Sequence, residues 1–207
     1  MDTSGPDNPG AGPDWGALLA AHRGRLRRMV ALRLDRRLSG RIDPSDVIQE
    51  AYLEATDRRD EYEQQDDPMP PFLWLRFLVL QQLQILHRKQ LGTQARDVAR
   101  EVSIHAVASR GTTSAALAER LLGRESRASE AAIRAERKRR LQEALDAMDP
   151  IDREILTLRH FEQLSNGESA RVLGLSESAA TKRHLRALRR LKAALSAMPG
   201  GSKEVWI

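Results

Sequence analysis

The residues with the clearest chemistry are cations near the end of the chain, after a short turn at residues 172–176. Five fall within nine positions: Lys182, Arg183, Arg186, Arg189 and Arg190. Guanidinium and ammonium groups donate hydrogen bonds to phosphate oxygens and to the edges of bases. A cluster of this kind on one helix predicts contact with a polyanion, and the elements around it decide which one.

The turn and its flanks predict a helix-turn-helix. Gly174 supplies the permissive backbone of a sharp turn, and Ser176 is a good N-cap for the helix that follows. That helix has an apolar stripe opposite the cations, formed by Ala180, Ala187, Leu188, Leu191 and Leu195. A capped, one-sidedly basic second helix is typical of DNA readers in the major groove. The alternative is a solvated amphipathic helix pair.

Charge and composition favour DNA binding over a solvated helix pair. The chain has 207 residues and a net charge of +5. Residues 166–195 hold seven Lys or Arg and two Glu, so this segment alone carries +5. The absence of cysteine excludes disulfides and thiolate metal sites and is typical of a reducing cytoplasm. No apolar run has the length of a membrane span, and the N-terminus does not resemble a signal peptide, so we expect a cytoplasmic protein with no membrane partner.

Catalytic chemistry has little support in the sequence. The five histidines are scattered without the spacing of metal ligands, and His184 lies at the edge of the apolar stripe, where packing is its expected role. No Gly-rich phosphate loop, nucleophile elbow or carboxylate pair is present. We therefore predict no catalytic residue, no metal and no cofactor.

The periodicity predicts an all-α protein, since no alternating strand pattern is present. A first helix is expected from Asp14 to Leu38, and a second from Pro44 to about Asp60 with Asp43 as its N-cap. A polar loop over 61–71 should precede a third, central helix over 72–91, which contains Trp74 as a core residue and ends in basic residues. Further helices are expected over 129–148 and 151–161.

The weak periodicity after residue 92 predicts a linker, with a short helix possible at 115–122. The chain then divides into a disordered leader over 1–13, a helical domain over 14–92, a linker over 93–128, a helix-turn-helix domain over 129–197 and a tail over 198–207.

Three blocks resemble extracytoplasmic-function (ECF) sigma factors of the sigma-70 family. Residues 46–53, DVIQEAYL, are similar to the family's D-L-V-Q-E-x-F-L, and residues 72–75, FLWL, to its F-x-x-W-L. Residues 173–187 are similar to its L-G-I-P-E-G-T-V-K-S-R-L-x-R-A. The run from His87 to Ser103 particularly resembles sigma factors of planctomycete-type bacteria. The resemblance implies a region 2-like bundle and a region 4-like helix-turn-helix on either side of the linker.

The resemblance also implies partners and sites. Asp46, Gln49 and Glu50 would dock on core RNA polymerase. Contacts to the −10 promoter element would come from Tyr62, His87, Arg88 and Lys89. Contacts to the −35 element would come from Ser178, Lys182, Arg183, Arg186, Arg189 and Arg190. Several of these residues have a plainer alternative role. Asp46 would only cap its helix, Glu50 would be a solvated charge, and Tyr62 would be a loop residue without a ligand. The basic cluster of His87, Arg88 and Lys89 would be a solvated helix end.

Departures from the family pattern fall at Gln81, Ile85, Ala179, Ala180 and His184, and they affect expected base contacts more than the fold. The resulting prediction is a non-enzymatic initiation factor that binds core polymerase and promoter DNA, with an anti-sigma factor as a further candidate partner. The alternatives are a helix-turn-helix regulator that never touches polymerase and a helical adaptor that binds no DNA.

Overall fold

The computed structural model describes residues 13–65, 68–91, 113–122 and 131–197, and all regular structure within these ranges is helical. The helices are α1 (Trp15–Arg33), α2 (Pro44–Asp57), α3 (Arg59–Glu63), α4 (Pro71–Leu91), α5 (Ser114–Leu122), α6 (Ala131–Asp146), α7 (Pro150–Leu156), a π-helical turn (Thr157–Phe161), α8 (Asn166–Leu173) and α9 (Glu177–Ser196). The predicted all-α class is confirmed. No helix in the described part of the chain is long and apolar enough to cross a membrane.

The N-terminal unit is a bundle in which α4 packs against α1 and α2. Large apolar residues of α4 are almost completely buried, among them Leu75, Leu78 and Val79, so α4 is the predicted central helix. Asp43 caps α2 by accepting a hydrogen bond from the Ser45 N–H at 2.7 Å, and Pro44 takes the first turn, as predicted.

Two helix boundaries in this unit differ from the prediction. α1 ends at Arg33 rather than Leu38, because Leu34 is extended and the Asp35 carboxylate accepts a hydrogen bond from the Arg37 N–H at 2.9 Å. Such a local side-chain bond replaces the helical pairing of the backbone. The expected loop after residue 60 contains α3, which is stabilised by burial of Tyr62 and by the pair between Arg59 and Glu63 at 2.6 Å.

The C-terminal unit has its own core, formed by α5, α6, α7, α8 and α9. Leu117 and Ala118 of α5 are fully buried in it with Leu141 and Leu145 of α6. The short helix expected within the predicted linker therefore exists, and it packs with the C-terminal unit. The leader over 1–12, the tail from 198 and the rest of the linker lie outside the described residues.

The two units are packed against each other through the π-helical turn. Leu158, Leu164 and Val172 belong to the same buried cluster as the N-terminal bundle. The Glu162 N–H donates to the Thr157 carbonyl, five residues earlier, at 3.0 Å, which marks the wider turn. The helix predicted over 151–161 therefore consists of α7 followed by a π-helical turn. The turn places Glu162 against the N-terminal unit.

Candidate nucleic-acid interface

The connection between α8 and α9 has the geometry of a helix-turn-helix. The Ser165 hydroxyl accepts from the Glu168 N–H at 3.1 Å, and the Glu168 carboxylate accepts from the Ser165 N–H at 2.6 Å, which closes a capping box at the start of α8. Gly174 ends α8 in the left-handed conformation, with φ 64°. The Ser176 hydroxyl accepts from the Ala179 N–H at 3.2 Å and caps α9. The predicted turn and cap are confirmed.

One face of α9 is buried and the opposite face is exposed. Ala180, Ala187 and Leu191 lie in the C-terminal core. On the other side, exposed residues follow one another at spacings of four, three and four: Ser178, Lys182, Leu185 and Arg189. We call these four residues the outer ridge. This spacing sets them in one line along the helix, so the outer ridge is the part of α9 that a ligand would meet first.

Two of the predicted DNA-contacting arginines are bound to α7. Asp152 has no exposed side-chain surface. It accepts from Arg183 Nη1 at 2.7 Å and from Arg186 Nε and Nη2 at 2.7 and 2.8 Å. Burial alone would raise the pKa of Asp152, but the hydrogen bonds from Arg186 and Arg183 outweigh burial and lower it. Arg183 and Arg186 therefore fix α9 against α7.

The remaining cations of α9 are differently placed. Lys182, Arg189, Arg190 and Lys192 are exposed, and none of them has a salt bridge among the ion pairs of the described residues. Ser178 is exposed in the first turn of the helix. Because charges without an internal partner are available to phosphates, these four cations hold most of the accessible positive charge of the helix.

His184 lies beside the ridge and faces the π-helical turn. Its Nε2 is 2.9 Å from the Nε2 of His160, and burial followed by the neighbouring His160 lowers the pKa of His184 to about 4. A hydrogen bond between two imidazoles requires that one nitrogen accepts, so the pair cannot be doubly protonated in this geometry. Among the described residues, no group of three or more His, Asp or Glu side chains could hold a metal ion.

The exposed face of α2 carries the three residues predicted to dock on polymerase. Asp46, Gln49 and Glu50 are all exposed, and Leu53 extends the same line with half of its surface in solvent. The spacing of i, i+3, i+4 and i+7 places the four residues on one side of the helix. Sequence reasoning did not single out Leu53, although this spacing from Asp46 was a usable signal.

Tyr62 is not accessible to a base in this conformation. Its ring is 4% exposed and lies 5.2 Å from the ring of Trp15 and 4.9 Å from that of Trp74. Its hydroxyl donates a hydrogen bond to the Met69 carbonyl. The aromatic cluster confirms the expected core position of Trp74, and it gives Tyr62 a structural role at the start of α4.

The three basic residues at the end of α4 divide into two groups. The His87 Nε2 accepts from the Asp35 N–H at 3.3 Å, and burial is the largest cause of its lowered pKa, so the ring is neutral near pH 7. A neutral imidazole that already accepts a hydrogen bond is poorly suited to phosphate. Arg88 and Lys89 are exposed and remain candidates for such contacts.

The contact between the two units is built from arginines that sequence reasoning missed. Arg33 of α1 and Arg76 of α4 form ion pairs with Glu162, and Arg33 also pairs with Glu154, all four side chains being nearly fully buried. Arg25 donates to the carbonyls of Glu162 and Gln163 at 3.0 and 2.9 Å. The sequence signal was Arg76, the one charged residue among residues 71–86 of α4.

Comparison with known proteins identifies the segment that carries the helix-turn-helix. Residues 138–191 match the family described as "Sigma-70, region 4". The match begins within α6 and ends at Leu191 of α9, so it contains the complete turn and the outer ridge. This segment of the chain is similar to region 4 of the sigma-70 family. The sigma-70 resemblance recognised from the sequence is confirmed over these residues.

Solved structures similar to this chain include two protein complexes. CnrH in complex with the cytosolic domain of CnrY is 24% identical, with 89% of each chain covered and a TM-score of 0.48. The sigma factor RpoE in complex with the anti-sigma factor NepR, from Bartonella quintana, is 15% identical, with 90% of this chain and 99% of that chain covered and a TM-score of 0.45. Both TM-scores are low, and the family assignment rests on residues 138–191. No curated protein matches the chain in sequence.

Proposed function

We propose that this protein is a non-enzymatic sigma factor of the ECF group, which binds core RNA polymerase and directs it to promoters through their −10 and −35 elements. The observation that carries the proposal is the helix-turn-helix similar to region 4, with the exposed cations of its outer ridge. Such a role places the protein in the cytoplasm. An anti-sigma partner remains a prediction from the sequence resemblance.

Recognition of the −35 element is assigned to α9. The outer ridge, which begins at Ser178, would face the major groove, with Lys182 and Arg189 against the phosphates that border it and Arg190 beside them. Arg183 and Arg186 set the angle of the helix through Asp152. Arg186 keeps about half of its side-chain surface exposed and can meet DNA while it remains paired.

Polymerase binding is assigned to the exposed face of α2. Asp46 and Glu50 offer negative charge to basic residues of the partner, Gln49 offers an amide, and Leu53 adds an apolar contact at the end of the line. Protein interfaces commonly combine a buried apolar residue with a polar rim, and this face has both. The plainer alternative, a solvated acidic helix, does not account for the exposure of Leu53.

Contacts to the −10 element are assigned first to Arg88 and Lys89, which are exposed at the end of α4. A stacking role for Tyr62 requires that the ring leaves Trp15 and Trp74, so it belongs to a rearranged α3–α4 segment. His87 contributes by holding the end of α1 rather than by charge.

The deciding experiment is transcription from a selected promoter by core polymerase with the full chain, alongside direct binding of the chain to core. We expect the double variant Asp46→Lys and Glu50→Lys to bind core at least tenfold more weakly while its helix content stays unchanged. The matched control reverses two exposed carboxylates elsewhere, Asp60→Lys and Glu143→Lys, and should bind normally.

Two outcomes would contradict the proposal. Equal binding by the double variant and its control would remove the assignment of α2. A chain that binds specific DNA but never core polymerase would instead be a helix-turn-helix regulator, a candidate favoured by the fact that the family match is confined to residues 138–191.

A further inference from the structure

The outer ridge contains an apolar residue among its cations. Leu185 is 47% exposed, and only two other large hydrophobic residues of the described chain, Leu53 and Ile133, are as open to solvent. It lies three residues after Lys182 and four before Arg189, so both cations flank it on the same face of α9. Single exposed hydrophobic residues are common on protein surfaces, but an exposed leucine at the centre of a charged surface is better explained by a function.

The fold itself does not require this leucine. α9 is anchored in the core by Ala180, Ala187 and Leu191, with Leu188 and Leu195 partly buried beside them, and Leu185 belongs to neither buried cluster. Helix propensity gives no reason either, because alanine is a better helix former than leucine at an exposed site.

The chemistry that fits Leu185 is an apolar group bordered by phosphates. In the major groove the C5-methyl group of thymine is the apolar feature that distinguishes one base pair from another, and apolar side chains read it by contact. Lys182 and Arg189 are placed to meet the backbone on either side. Arg183 and Arg186, which are held by Asp152, are less free to turn toward the base edges at this level of the helix.

We propose that Leu185 contacts the C5-methyl group of a thymine in the −35 element and so determines specificity at that base pair. This inference rests on the proposed function. A protein partner is the other possible occupant of the ridge, but it would have to cover Lys182 and Arg189 together with Leu185, and burying unpaired cations is costly. The positive charge around Leu185 therefore favours DNA.

The test uses the full chain bound to core polymerase and promoter duplexes selected from a random library. Each thymine of the selected −35 element is replaced in turn by deoxyuridine, which removes the methyl group and keeps the base pairing. For the wild-type protein, we expect the change at one thymine to weaken binding about fourfold, the factor expected from losing one buried methyl group. For Leu185→Ala, the same change should have no effect.

Two controls accompany the test. Ile133→Ala removes an equally exposed hydrophobic residue from α6 and should retain the wild-type response to deoxyuridine. Lys182→Ala should weaken binding to selected and scrambled duplexes alike while the deoxyuridine response remains. Because Leu185 is outside both cores, its replacement should leave the unfolding transition unchanged, so a loss of specificity would not reflect misfolding.

The inference is overturned if no deoxyuridine change weakens wild-type binding, if the response persists in Leu185→Ala, or if that variant loses affinity for core polymerase instead of specificity for DNA. If the complex selects no sequence at all, the proposed function itself fails. Selection of a defined −35 element without any thymine response would overturn the role of Leu185 and leave the proposed function standing.

Discussion

Replacing Glu162 with Gln should weaken the packing of the N-terminal bundle on the C-terminal unit. The Glu162 carboxylate is 2% exposed and binds two arginines, Arg33 and Arg76, the latter with 2.7 Å between Arg76 Nε and Glu162 Oε2. With Glu154, which also pairs with Arg33, the cluster contains two positive and two negative side chains and is electrically neutral.

The size of the effect follows from burial. Gln has the shape of Glu but no charge, so Glu162→Gln leaves two buried arginines with one carboxylate. Removing one partner from a buried ion pair costs about 3–5 kcal/mol, because the charge left behind is uncompensated. At a urea slope of about 2 kcal/mol per molar, the unfolding midpoint should fall by about 2 M.

The assay is urea denaturation of the full chain followed by far-UV circular dichroism, with Glu143→Gln as the matched control. Glu143 is 60% exposed and pairs with Arg139 on the helix surface, so its loss should change the free energy of unfolding by about 0.5 kcal/mol or less. If Glu162→Gln costs no more than this control, the buried cluster does not hold the two units together, and the reasoning from burial is wrong.

The same variant has a functional consequence. The −10 and −35 elements lie about 25 base pairs apart, which is about 85 Å of B-DNA, whereas a compact chain of this length has a diameter of about 43 Å. We therefore expect the units to separate when both elements are bound. Since the chain has no cysteine, single labels at Asp57→Cys and Lys192→Cys can report their distance. Glu162→Gln should lengthen that distance in the free protein and should not weaken promoter binding.

Three further outcomes are expected. The protein should be less stable at pH 5 than at pH 7, because the pKa of His184 is lowered to about 4 in the folded state and the unfolded chain binds more protons below about 6.5. His184→Gln should reduce this difference, measured as the difference between the urea midpoints at the two pH values. Equal wild-type stability at both pH values would contradict the expectation. Arg190→Ala should weaken binding to all duplexes and lower the slope of log binding constant against log salt concentration by about one unit, measured in a salt series. A loss confined to the cognate duplex would instead indicate base contact. Limited proteolysis should cut first within 93–128 but outside the packed helix α5, because helical periodicity lapses there. A first cut inside 45–90 would refute that boundary.

Local interactions explain what could be predicted from the sequence alone. The caps at Asp43 and Ser176 and the left-handed Gly174 depend on residues within a few positions of one another, so their patterns are readable along the chain. The same holds for the apolar stripe of α9 and for the exposed line of Asp46, Gln49 and Glu50, since helical periodicity assigns faces without knowledge of the partner. The family assignment followed from these local patterns and their order.

Contacts between residues distant in sequence could be decided only by the tertiary structure. Tyr62 was expected in a loop because its neighbours are polar, but Trp15 and Trp74 draw it into the core. Arg183 and Arg186 were expected to read bases, but Asp152, more than thirty residues earlier, pairs with both of them. The buried arginines at Glu162 join positions 86 and 129 residues apart. The partner of a charged side chain depends on tertiary packing and cannot be read from the residues next to it in sequence. Local pattern therefore determined the helices and their faces. The three-dimensional packing determined which charged side chains remain available for DNA.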